Sequence, residues 1–137
     1  MRLRQIGAVI LYCLERPDSD ATRADKASGR LIGAANRSRG YLGRFDPKTS
    51  SVREWPSPGG PNSGPYGIAA LGEVIWYSES RVHPNTLARF DSRTEKFETW
   101  AIPSGGGVVR NMTATRDGKL VLACSGVDRI ALVHVRL

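Results

Sequence analysis

From Tyr41 onward the chain reads as short, apolar-rich runs separated by clusters of Gly, Pro, Asp and Asn. Runs of that length with that punctuation predict β-strands joined by turns. Strands are expected at Tyr41 to Phe45, Ser51 to Trp55, Tyr66 to Ala70, Glu73 to Ser78, Leu87 to Phe90, Lys96 to Trp100, Val108 to Ala114, Lys119 to Cys124 and Ile130 to Val135. Asp46-Pro47-Lys48-Thr49 fits a type I turn, and Asp91-Ser92-Arg93-Thr94 repeats it without the proline. Asp117-Gly118 predicts a two-residue hairpin turn. In Val74-Ile75-Trp76-Tyr77 both faces of the strand are apolar, which suits a strand sandwiched between neighbouring sheets. Ser57 to Pro65 and Ser104 to Gly107 are loops by their Pro and Gly content.

The runs recur. Gly43-Arg44-Phe45-Asp46-Pro47-Lys48-Thr49 matches Ala88-Arg89-Phe90-Asp91-Ser92-Arg93-Thr94, and Phe45 to Phe90 and Trp55 to Trp100 are each 45 residues apart. Gly72-Glu73-Val74-Ile75-Trp76 recurs as Gly118-Lys119-Leu120-Val121-Leu122 after 46 residues, and more faintly as Gly29-Arg30-Leu31-Ile32-Gly33, 43 residues earlier. Short strands repeating at this period are the signature of a β-propeller blade. The expected fold is all-β, an incomplete β-propeller of about two to three four-stranded antiparallel blades. Closed propellers take roughly four to eight blades, so three cannot close a ring alone, and open blade edges invite self-association.

Residues 41–137 are expected to hold the blades and residues 1–40 to form a poorly patterned N-terminal segment. Within it, Gly29 to Ala35 reads as the remnant of an inner strand of a degraded blade. The apolar run Ile6 to Leu14 is short for a signal peptide and far short of a membrane span; its bland reading is a buried strand or short helix. The compartment stays open.

The net charge of +7 changes the picture little once its distribution is read. Residues 1–44 carry nine Lys/Arg against four Asp/Glu, residues 45–137 eleven against nine. The repeats are therefore close to neutral, with no Arg-rich helix and none of the interleaved aromatics of single-strand binders, and no nucleic-acid partner is expected. Cys13 and Cys124 are too few for a disulfide framework; Cys124, in LVLAC, reads as a buried thiol.

The repeats resemble those of the virginiamycin B lyase family, also called streptogramin lyases. The matching segments are Pro65-Tyr66-Gly67-Ile68, Gly72-Glu73-Val74-Ile75-Trp76-Tyr77-Ser78-Glu79, Asn85-Thr86-Leu87-Ala88-Arg89-Phe90 and Thr99-Trp100-Ala101-Ile102-Pro103, over roughly residues 41–135. The resemblance implies a piece of a seven-bladed propeller. It also implies a magnesium-dependent carbon-oxygen lyase ancestry, in which a cyclic depsipeptide antibiotic is opened by elimination at its ester linkage. A histidine suits the base of that reaction, and a metal can polarise the carbonyl that acidifies the α-proton. The family's catalytic histidines stand second in Pro-His-Gly/Ala-Ile segments, where this chain has Tyr66 and Arg110.

That leaves a short set of candidates. His83, in the loop before Pro84, is the weak candidate for a proton carrier, against the plainer reading of a solvated histidine; His134, where the repeat puts Asp91, reads as structural. Glu79 matches the repeat glutamate, either as a magnesium contact or as a packing residue. Tyr66, Arg110 and Asn111 are expected to form a polar substrate-binding rim for a small-molecule or cyclic peptide ligand. Trp55 and Trp100 read as packing between blades. A non-catalytic binding or assembly module is the alternative function. A metal-dependent hydrolase on a propeller would need several carboxylate and Asn ligands, of which only Glu79 and Asn111 stand out.

Overall fold

The structure, a computed structural model, describes residues 32–36, 39–46 and 48–135. Its strands are β1 (Ile32–Asn36), β2 (Tyr41–Asp46), β3 (Ser51–Pro56), β4 (Pro65–Leu71), β5 (Val74–Glu79), β6 (Thr86–Asp91), β7 (Lys96–Ala101), β8 (Val109–Ala114), β9 (Lys119–Cys124) and β10 (Arg129–His134). They form three antiparallel meanders, β1-β2-β3, β4-β5-β6-β7 and β8-β9-β10. The fold is all-β, with blades of three, four and three strands among the described residues. No helix among those residues is long and apolar enough to cross a membrane.

The repeat is a repeat of register. β2 and β3 pair Phe45 with Val52 and Asp46 with Ser51; β6 and β7 pair Phe90 with Phe97 and Asp91 with Lys96, each 45 residues on. Both connecting turns are built by an aspartate. Asp46 Oδ1 accepts from the Lys48 N–H at 2.9 Å, and Asp91 Oδ1 accepts from those of Arg93 and Thr94 at 3.0 and 3.3 Å. The Arg93 N–H, foremost among several interactions, holds the Asp91 carboxyl below its ordinary value. Each turn closes on a residue in the left-handed region, Ser50 at φ 54° and Glu95 at φ 57°.

β1 pairs with β2 through Ile32 and Phe45, as β5 pairs with β6 through Ile75 and Phe90. The segment read as an inner strand therefore occupies the second position of its blade, because its partner is the third strand, and the first sheet begins before residue 40.

The middle blade is apolar on both faces because both are covered. Ile68, Ile75, Tyr77, Ala88 and Phe90 pack with Leu42 and Trp55 of the first blade. Ala69, Leu71, Val74, Trp76 and Leu87 pack with Met112, Leu120, Leu122 and Cys124 of the third. Burying each of these larger side chains contributes on the order of 2 kcal/mol, so the two interfaces are the core. Cys124 is a buried free thiol, as its strand context suggested.

Two expectations need correction. Asp117-Gly118 is not a two-residue turn: the Thr115 N–H donates to the Lys119 carbonyl at 2.8 Å, bracketing a three-residue loop, Arg116-Asp117-Gly118, with Gly118 at φ 79°. The corresponding β4-β5 turn has two residues between the paired Leu71 and Val74. The extra residue shifts the facing of β9 by one, so Leu120 and Leu122 play the part of Ile75 and Tyr77, and the 46-residue match is out by one position. Trp100, in turn, does not cross to another blade as Trp55 does. Trp55 meets Phe90 of the next blade at 4.8 Å between centroids, whereas Trp100 stacks on Trp76 of its own sheet at 5.8 Å.

Candidate functional site

All five candidate residues lie at one end of the sheets. Register places Pro65 opposite Glu79 and Glu79 opposite Thr86, so the start of β4, the end of β5 and the start of β6 share an edge. β8 begins at that same edge beside β4. Gly67 brings the two inner strands together, since a Cβ on it would stand 2.9 Å from the Val109 carbonyl oxygen. That approach places Tyr66 and Arg110 on adjacent strands.

Ser78 and Ser80 tie this approach down, and the sequence reading did not single them out as site residues. Ser78 Oγ accepts from the Gly67 N–H at 3.1 Å and donates to the Val109 carbonyl at 2.9 Å; Ser80 Oγ accepts from the Val109 N–H at 3.3 Å. Their signal was two hydroxyls flanking Glu79 at the end of an otherwise apolar strand.

Glu79 is 1% exposed and anchors a hydrogen-bond network between blades. Its Oε1 accepts from Ser57 Oγ at 2.6 Å and from the Gly59 N–H at 2.7 Å, both in the loop after the first blade. Its Oε2 accepts from Thr86 Oγ1. Ser57 Oγ also lies 2.8 Å from the Tyr77 hydroxyl. Burial, and secondarily the charge of Glu79, push the Tyr77 phenol well above its ordinary value against the opposing Ser57 hydrogen bond. A Cβ on Gly59 would stand 2.9 Å from Oε1, so the carboxylate is seated against bare backbone.

This setting does not suit a magnesium ion at Glu79. Three donors converge on the carboxylate, and among the described residues no group of three or more His, Cys, Asp or Glu side chains is placed to share a metal.

The other candidates are more open. Tyr66 is half-buried, and Arg110 and Asn111 are exposed at the start of β8. His83 is exposed in the loop between β5 and β6. The structure thus puts Tyr66 and Arg110 on adjacent strands, buries Glu79 at the same edge of the sheet, and leaves His83 in the loop between β5 and β6. Asn85, which opens the third matching segment, is fully buried: its Nδ2 donates to the Val82 carbonyl at 2.9 Å, and its backbone bonds to Gly105 and Ile102 fasten the loop after β7.

Three stacked meanders with equivalent second and third strands can be compared directly with solved propellers. Over 92% of the chain, the structure matches the virginiamycin B lyase of Staphylococcus aureus with a TM-score of 0.71 and 18% identity. The chain has the fold of the virginiamycin B lyases. A streptogramin B lyase matches over 88% of the chain with a TM-score of 0.70 and 18% identity. A catalytically inactive S. aureus virginiamycin B lyase, solved with quinupristin, matches over 89% with a TM-score of 0.74 and 21% identity. The chain spans 45%, 42% and 40% of those lyase chains, less than half of each. No protein-family model matches, and no curated protein does.

Proposed function

We propose that this chain is a non-eliminating segment of a virginiamycin B lyase-like propeller, with the rim of Tyr66, Arg110 and Asn111 turned to a small or cyclic peptide ligand. One observation carries the reading: the two described inner strands bring Tyr66 and Arg110 side by side where the lyase resemblance calls for histidines. Elimination at an ester needs a base to take the α-proton, and phenols and guanidinium groups hold their own protons at neutral pH. A guanidinium and an amide are instead suited to hold a carbonyl or carboxylate. Quinupristin bound to the inactive lyase supports the choice of ligand class.

The test is chromatography of quinupristin incubated with the purified chain. No ring-opened product is expected, while equilibrium dialysis detects binding that Arg110→Ala weakens about tenfold, the loss of one charge-assisted contact. Ring opening by the purified chain would overturn the proposal, and its loss in His83→Ala would assign the base to His83.

A second reading, assembly through open blade edges, is favoured by β10. Among the described residues it ends its sheet, and Ile130 and Leu132 on it are 78% and 54% exposed. An unpaired edge with exposed apolar side chains is a template for another strand.

A further inference from the structure

The two inner strands depart from regular pairing at the same point. From Pro65, opposite Glu79, to Ile68, opposite Tyr77, β4 advances three residues while β5 advances two. From Val109, opposite Cys124, to Asn111, opposite Ala123, β8 advances two while β9 advances one. Each inner strand therefore bulges, at Tyr66-Gly67 and at Arg110, and a bulge is a common device for re-aiming a side chain beside a binding site.

Arg81, which has so far had no role, joins this cluster through its main chain and its side chain. Its neighbour Ser80 bonds to both inner segments, its N–H donating to the Gly64 carbonyl at 2.9 Å and its Oγ accepting from the Val109 N–H at 3.3 Å. The Arg81 N–H donates to the Ser63 carbonyl at 2.9 Å. Its aliphatic stem lies across Gly64, where a Cβ would stand 2.6 Å from Arg81 Cγ and 2.9 Å from Cδ. Arg81 is exposed, and among the described residues its guanidinium joins no ion pair. The setting is also electrically one-sided. Exposed Arg39, Arg81, Arg110 and Arg129 stand at this end of the sheets against exposed Asp128. At the opposite end the hairpin turns carry both signs, Asp46 with Lys48, Asp91 with Arg93 and Asp117 with Lys119. A concentration of one sign at one end draws ligands of the other.

We propose that Arg81 is a second guanidinium of the ligand rim and that, with Arg110, it holds the free carboxylate of a linear, peptide-sized acid. Two planar forks match the lone pairs of one carboxylate. A phosphate is commonly cradled by a run of backbone N–H groups. Here those of Gly67, Ser80, Arg81 and Val109 are already spent within the fold. The inference rests on the rim being a ligand site, and it adds the charge of the group that is bound there.

The probes are N-acetyl-trialanine with a free C-terminus, its C-terminal amide and inorganic phosphate, each titrated into the full chain at low salt and followed through the arginine Nε–H signals in nitrogen-15 spectra. The acid is expected to bind at least about tenfold tighter than the amide or phosphate, moving the Arg81 and Arg110 signals together. Arg81→Gln, which keeps a stem to lie on Gly64, is expected to abolish the preference for the acid, whereas Arg116→Gln at the opposite end keeps it in full. No preference for the acid, a preference that survives Arg81→Gln, or phosphate bound as tightly as the acid would each overturn the proposal. Quinupristin binding without a preference for the acid would sink this inference and leave the earlier reading standing; a preference for the acid without quinupristin binding would do the reverse.

Discussion

At the scale of single residues, Glu79 shows how a motif position acquires its role. In a list of residues it is a carboxylate near a propeller axis; in the folded chain it accepts three hydrogen bonds while almost wholly buried. Glu79→Gln puts an amide nitrogen where an acceptor is required, leaving a buried donor opposed. A loss of about 1–3 kcal/mol is expected in urea unfolding, with Thr86→Val costing less because Oε1 keeps both its donors. Tyr77 supplies a pH dependence. Its folded phenol is raised, so its contribution is present below the ordinary value of about 10 and is lost as pH rises from there toward the folded value, because only the unfolded chain ionises. Alkaline unfolding curves should therefore steepen above about pH 10 in the wild type and flatten in Tyr77→Phe. Neither role was legible beforehand, since Ser57 is 22 residues from Glu79 and only folding makes them neighbours.

At the scale of elements, strand type and pairing order were legible because the chain states them more than once. Phe45 and Phe90, with an aspartate after each, mark the same hairpin twice, and the structure gives both copies the same register. Facing was less legible. One additional residue in the Arg116-Asp117-Gly118 loop turned β9 over by one position, and the matching glycines concealed it, because a glycine at a turn reports a backbone conformation and not the length of the loop. Gly67 is the converse case, visible in the motif Pro65-Tyr66-Gly67-Ile68 but explained only by its neighbour. Gly67→Ala would place a methyl 2.9 Å from the Val109 carbonyl, against backbone that has little room to give. The expected cost is about 1–3 kcal/mol, read as a lower urea midpoint, and Ala69→Gly in the same strand should not reproduce the steric part of it.

At the scale of the whole molecule, three meanders stack so that only the middle one is covered on both faces. Trp100 stays exposed on the outer strand of that middle sheet, and Ile130 and Leu132 stay exposed on β10 of the third. Local pattern alone determined that this chain is all-β and that its strands and turns repeat about every 45 residues, because alternation and turn chemistry act between residues close in sequence. Tertiary structure alone decided which face each strand turns to which neighbour, that Glu79 is spent on Ser57, Gly59 and Thr86, and that β10 pairs on one side only, with β9, among the described residues. Those outcomes depend on contacts between residues distant along the chain, and no local pattern encodes a contact of that kind.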